Sequence, residues 1–285
     1  MTHAVVVCAD QSPAGLQALR WATSEAERHR LPLTVVTEPQ RTRRSRNSAF
    51  AGALAAARAA VPGLPVIGGA SGDSPGALLR RLSIGATALV VPATLPELEV
   101  IVADAYCPVV TVPARDPSPD AVHGPVLLGA APWTPSNVIE LAFQAASDRG
   151  TKVLAVRAWS EPPLDLGRPR ADPIAAWDGA EQRVRRELDH ALSAWTIIHP
   201  DAPIDAMVVQ DRPTELFQAL SHRAQLLVLG RSTRGALVAG ITGSPANALL
   251  RTSACPVMVV PTAAALQARP PWLPTRERVW ALIGP

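Results

Sequence analysis

Short apolar runs, three to six residues long, alternate along this chain with segments whose apolar residues recur at helical spacing. In the amino-terminal part, Ala4–Ala9, Leu33–Thr37, Leu64–Ile67, Ala88–Val91 and Val109–Val112 read as strands. In the carboxyl-terminal part, Val126–Leu128, Val153–Val156, Ile204–Val209, Leu226–Leu229 and Val257–Val260 read the same way. Valine-rich runs without polar alternation suit parallel strands covered on both faces. The spacing predicts a helix over about 175–198, with Trp177, Val184, Leu188, Leu192 and Trp195 along one stripe. Ser12-Pro13, Ser74-Pro75, Thr134-Pro135 and Ser244-Pro245 each offer a hydroxyl cap and then proline at the first helical position, and Asp172-Pro173 offers a carboxylate in the same way. Strand, cap, helix, strand is the order of a doubly wound α/β sheet.

The pattern occurs twice. Asp73, Pro75 and Val90 in GDSPGALLRRLSIGATALVV (72–91) meet Asp211, Pro213 and Val228 in QDRPTELFQALSHRAQLLVL (210–229). Further on, Cys107-Pro-Val-Val-Thr-Val-Pro113 matches Cys255-Pro-Val-Met-Val-Val-Pro261, with the first copy ten residues shorter between these landmarks. VVVCADQSPAG (5–15) answers VLLGAAPWTPS (126–136) near the start of each copy. Duplication of one unit explains such self-similarity. The expected organisation is therefore two tandem domains, 1–113 and 124–261, with a Pro- and Asp-containing linker at 114–123 and a tail at 262–285.

Length and composition fit this division. The 285 residues leave room for two cores, and 48% hydrophobic with 18% charged residues is a globular balance. A net charge of +3 leaves no broad basic footprint, so nucleic acid is not an expected partner. Arg41, Arg43, Arg44 and Arg46 read as a solvated loop after the second strand. Cys8, Cys107 and Cys255 show no CxxC spacing, which suits a reducing compartment and buried, inert thiols. The start MTHAVVVCAD has no basic region before its short apolar run, and no apolar run reaches the roughly 18–20 residues of a membrane span. The expectation is a soluble, cytoplasmic protein without a membrane partner.

Several chemistries lack their residues. Gly230-x4-Gly235 is followed by Ala236-Leu237 and not by Lys and a hydroxyl, so there is no P-loop. No G-x-G-x-x-G follows either first strand, no G-x-S-x-G elbow occurs, and the histidines have no metal-ligand spacing. No catalytic residue and no metal site is expected.

The segment LLVLGRSTRGALVAGITGSPANALLRTSACPVMVVP (226–261) resembles the universal stress protein domain. Nucleotide-binding members of that family carry Gly-x2-Gly-x9-Gly-[Ser/Thr] after the fourth strand. Here Gly230, Thr233, Gly243 and Ser244 occupy those places, with Thr233 where the family has its second glycine. The loop, the Cys-Pro-Val strand and the repeat extend the resemblance over about 3–113 and 124–261. It implies a five-stranded parallel sheet in each domain. It also implies an internal pseudo-dimer paired through the last strands, 107–113 and 255–261, and a nucleotide pocket at the carboxyl ends of the strands. The pocket so implied takes in Gly230, Thr233, Gly243, Ser244, Ala131 and Ala158, with ATP as the candidate ligand of the second domain.

A polyphosphate needs converging backbone N–H groups, which glycine allows to come close. Arg231, Arg234 and Arg251 are near enough in sequence to add charge. Against this, Ala131 stands where the family places a ribose-binding aspartate, and Pro245 removes an N–H after Ser244. Ser244 reads equally well as a helix cap, and the two glycines as turn residues. In the first copy Asp10 fills the aspartate place, but VVPATLPELEVIVADAYCPVV (90–110) contains no glycine. The sequence thus points to a non-enzymatic stress-response regulator acting through contacts with unidentified proteins, its nucleotide binding weak or lost. The alternative is an ATP-binding regulator using loop 230–244.

Overall fold

The structure, a computed structural model, describes residues 4–9, 12–37, 43–69, 75–131, 134–159, 173–210, 213–231 and 245–261. The first half contains β1 (Ala4–Cys8), α1 (Pro13–Arg28), β2 (Leu33–Val36), α2 (Arg43–Ala60), β3 (Val66–Gly69), α3 (Pro75–Ser83), β4 (Ala86–Pro92), α4 (Leu98–Asp104) and β5 (Val109–Val112). A short helix, α5 (Pro119–Val122), lies in the connector. The second half contains β6 (Val126–Gly129), α6 (Ser136–Asp148), β7 (Val153–Trp159), α7 (Pro173–Ile198), β8 (Ile204–Gln210), α8 (Pro213–Ser221), β9 (Leu226–Gly230), α9 (Pro245–Thr252) and β10 (Val257–Val260).

The strands form one ten-stranded sheet in the order β3-β2-β1-β4-β5-β10-β9-β6-β7-β8. Every neighbouring pair is parallel except β5 and β10, which run antiparallel at the centre. There Val110 faces Met258, its own counterpart in the Cys-Pro-Val repeat, with Thr111 opposite Val257 and Val109 opposite Val259. Each last strand thus supplies the neighbour that the other lacks.

Side chains alternate between two apolar layers, as the pleat requires. Val5, Val7, Val110, Val126, Leu128 and Met258 join α1, α2, α6 and α7 on one face. Val6, Cys8, Val109, Leu127, Val257 and Val259 join α3, α4, α8 and α9 on the other. Both layers draw on both halves. Leu188, Leu192 and Trp195 are the buried stripe of α7, as the spacing predicts, whereas Trp177 is a residue whose side chain is not described.

The sequence places the strands well and their ends less well. The third strand begins after Pro65, which has no N–H for the ladder, and runs through Gly68 and Gly69 because the backbone, not the side chain, satisfies β2. Ser12 caps α1 as expected, accepting from Gly15 N at 3.0 Å. Thr134 does not cap α6. Pro135 takes that position, and Thr134 Oγ1 accepts from Ala131 N at 2.7 Å. α3, α7 and α9 start on Pro75, Pro173 and Pro245, while Ser74, Asp172 and Ser244 lie outside the described residues. Arg43, Arg44 and Arg46 belong to the first turns of α2 and not to a loop. The connector is also more ordered than its composition suggests: Ser118 accepts from Ala121 N at 3.2 Å and donates to His222 O at 2.7 Å. Where it ends, a Cβ on Gly124 would fall 1.9 Å from Arg223 O, so only glycine fits. The tail, 262–285, lies outside the described residues.

Closing the sheet brings the carboxyl ends of α1 and α6 together across the junction. Arg149 Nη2 donates to Glu25 Oε1 at 2.6 Å, Arg28 pairs with the same oxygen, and His29 Nε2 lies 3.7 Å from Oε2. Burial works to raise the Glu25 carboxyl, but Arg149, then His29 and Arg28, outweigh it and hold the group below its ordinary value.

One hydrogen bond recurs in both halves at equivalent places. Ser83 Oγ donates to Arg80 O and accepts from Tyr106 N at 3.1 Å; Ser221 Oγ donates to Gln218 O and accepts from Ala254 N at 2.9 Å. Both serines are 1% exposed, so their removal strands a buried N–H. Ser83→Ala and Ser221→Ala should each destabilise the chain by about 1–3 kcal/mol in urea unfolding, and by similar amounts. A large loss from one and none from the other would contradict the equivalence.

Candidate functional site

In a doubly wound sheet the crevice for a ligand lies at the carboxyl ends of the strands, where the winding changes direction. In the second half that point falls between β6 and β9, which pair through Leu128 and Val228. Ala131 follows β6, Gly230 ends β9, and Ala158 lies near the end of β7, opposite Val209. The topology therefore gathers three of the six expected pocket residues at one end of the sheet. Thr233, Gly243 and Ser244 belong to 232–244, outside the described residues, as do Asp10 and Arg234.

The described residues here are largely engaged with one another. Ala131 has no carboxylate, and its amide already donates to Thr134 Oγ1, while Thr134 N donates back to Ala131 O at 3.0 Å. A Cβ on Gly230 would meet Val138 Cγ2 at 3.2 Å and Pro135 Cδ at 3.6 Å. Close packing against the first turn of α6 thus explains this glycine without a phosphate. Asn137 Nδ2 donates to Pro261 O at 3.2 Å, tying the same turn to the end of β10.

The two described arginines expected to add charge are turned elsewhere. Arg231 extends the sheet through its amide, which donates to Val260 O at 2.7 Å. Its guanidinium crosses to the first half, where Nη1 donates to Val102 O at 3.2 Å, Ala103 O at 2.6 Å and Ala105 O at 2.9 Å. These carbonyls close the carboxyl end of α4, where a cation is favourable. Arg251 makes a two-pronged pair with Glu99, Nε to Oε1 at 2.7 Å and Nη2 to Oε2 at 2.9 Å. It also reaches Ala93 O at 3.3 Å and Leu95 O at 3.4 Å. Sequence proximity suggested phosphate ligands; the fold makes both side chains fasteners between the halves. No sequence signal reveals this, because the partners lie more than a hundred residues away.

Elsewhere the chemistry is quiet. Cys107 and Cys255 are buried, and desolvation pushes their thiols up to about 12 and about 11, which leaves them protonated and unreactive. Among the described residues no group of three or more His, Cys, Asp or Glu is placed to hold a metal, and no helix is long and apolar enough to cross a membrane. Arg157, buried on β7, donates to Glu187 Oε2 at 2.7 Å beneath α7.

A model of the universal stress protein family matches residues 132–261. Universal stress protein Rv2005c of Mycobacterium tuberculosis (strain ATCC 25618 / H37Rv) is 35% identical over 161 residues, covering 56% of this chain and 53% of the relative. In that match the chain spans about half the relative's length. Universal stress protein Rv2623 of the same strain is 26% identical over an alignment of 305 residues, covering 90% of this chain and 95% of the relative. Among solved structures, the functionally unknown protein PA1789 from Pseudomonas aeruginosa PAO1 has a TM-score of 0.67 at 15% identity, over 93% of this chain and 94% of that one. A universal stress protein from Archaeoglobus fulgidus DSM 4304 has a TM-score of 0.60 at 14% identity, over 92% and 99%. These structural likenesses establish the α/β fold with its mostly parallel sheet.

The Glu99–Arg251 pair carries a pH signature. The hydrogen bond from Arg251 holds the Glu99 carboxyl below its ordinary value of 4.5, against an opposing pull from burial. A carboxyl lowered in the folded chain contributes stability above that value and loses it as pH falls through the folded one. Stability measured in urea should therefore fall more steeply below pH 4.5 in the natural chain than in Glu99→Gln. Identical slopes would show that the exposed pair contributes nothing.

Proposed function

We propose that the chain, matched by the universal stress protein family over residues 132–261 and by universal stress proteins of Mycobacterium tuberculosis, is a tandem member of that family acting as a non-enzymatic stress-response regulator in the cytoplasm. It works through protein contacts, and nucleotide binding in its second half is weak or lost. The tandem reading is supported by the same strand order on either side of β5 and β10, and by the recurring serine bond at Ser83 and Ser221. It treats 1–113 and 124–261 as duplicated domains joined in one pseudo-dimer.

The observation that carries the ligand reading is the diversion of Arg231 and Arg251 into the first half. Ala131 adds to it, since a hydrogen bond to a charged group is worth about 1.5–3 kcal/mol and each 1.4 kcal/mol is about tenfold in affinity. Loss of the ribose contact alone would weaken binding by roughly tenfold to more than a hundredfold.

Isothermal titration with ATP tests this directly. The expected result is no saturable heat up to about millimolar ATP, the same for the natural chain and for Gly243→Trp. Saturable micromolar binding that Gly243→Trp abolishes would overturn the reading in favour of an ATP-binding regulator using loop 230–244.

A further inference from the structure

Away from the carboxyl ends of β6 and β9, a cleft of about 280 Å³ opens at the junction of the halves. Trp21 and Arg28 of α1, Pro117 and Val122 of the connector, Val112 of β5 and Pro256 just before β10 line it. Trp21 is half-buried and rests against the core of that face, so its indole is a fixed apolar plane. Val122 is 52% exposed on the connector helix and lines the cleft.

The charges of the lining do not balance. Three arginines, Arg28, Arg115 and Arg149, line the cleft against one carboxylate, Glu25. That carboxylate is already shared by Arg28 and Arg149. Arg115 is exposed, and its neighbour Asp116 is held at the rim, accepting from the lining residue Gln17 and lying 3.7 Å from Arg20. Arg28 is one third exposed, with its side chain 32% open. Apolar walls with a few convergent polar groups mark a small-molecule site, and a guanidinium rim selects a carboxylate or sulfonate. The volume lies at the small end for ligand pockets, which suits a one- or two-ring molecule and not a nucleoside triphosphate.

We propose that this cleft binds a small amphipathic anion, a one- or two-ring apolar body carrying a carboxylate or sulfonate. The body lies between Trp21, Val112 and Val122, and the anionic head meets Arg115, which stands outside the pairs that Arg28 and Arg149 make with Glu25. Because the walls come from α1 and the connector, the ligand bridges the first half and the segment leading into the second. Binding to the folded state alone raises its stability.

Fluorescence titration with anilinonaphthalene sulfonate on the full chain tests this, with thermal unfolding followed in parallel. The expected result is one saturable site per chain, a raised unfolding temperature and no displacement by ATP. Arg115→Gln, which is exposed and outside the Glu25 cluster, should weaken the probe about tenfold, the effect of losing one charged hydrogen bond. Val122→Trp, which fills the cleft from an exposed position, should abolish binding while circular dichroism stays native. The proposal fails if binding does not saturate, if ATP displaces the probe, or if natively folded Arg115→Gln and Val122→Trp bind as the natural chain does. Equal affinity for uncharged naphthol would overturn the anionic part.

Discussion

The antiparallel pair β5–β10 is the contact on which the molecule depends. Both strands are four residues long and buried throughout, VVTV and VMVV, with no charge or proline within them. As an open edge, either would present unpaired amides and carbonyls beside a fully apolar strand, without the features that protect sheet edges from sticking. Paired, each covers the other, and one ten-stranded sheet results, with apolar layers running unbroken across the join.

The charged contacts follow from that closure. On one face it points the carboxyl ends of α1 and α6 at each other, bringing together helix ends of like partial charge. Arg28 and Arg149 answer with positive charge, and Glu25 holds them in place. On the other face α4 turns its carboxyl end to the second half. With no glycine-containing loop of its own, the first half presents helix-end carbonyls and Glu99, and these take up Arg231 and Arg251. What the first half presents thus decides what these two cations of the second half do. Two arginines cannot be fully committed to a helix end and a carboxylate and also remain poised for a phosphate.

Much of the fold was legible in the sequence because parallel strands buried on both faces leave valine-rich runs that little else produces. The Cys-Pro-Val repeat even placed Val110 and Met258 at matching positions, and the structure sets them opposite one another. Legibility failed where backbone geometry decides. Pro65 delayed a strand, Gly68 and Gly69 extended it without apolar side chains, and Thr134 bonded backward to Ala131 when it looked like a helix cap. At the candidate site the sequence grouped Gly230, Ala131 and Ala158, which the sheet sets at one end of its strands, but could not say why Gly230 is small. Packing against Val138 supplies a reason that no motif encodes. The partners of Arg231 and Arg251 were invisible for a simpler cause: long-range contacts leave no local pattern. The cleft beside Trp21 was hidden likewise, since its walls come from segments far apart in the chain.

Native-state hydrogen exchange most directly tests whether the central pair binds the chain into one unit. Amides of Val109–Val112 and Val257–Val260 should exchange only through global unfolding, with the same free energy and the same urea dependence in both strands. Exchange of these amides through a low-energy opening, with the two halves then unfolding at separate urea concentrations, would contradict a shared sheet as the constraint that organises the rest.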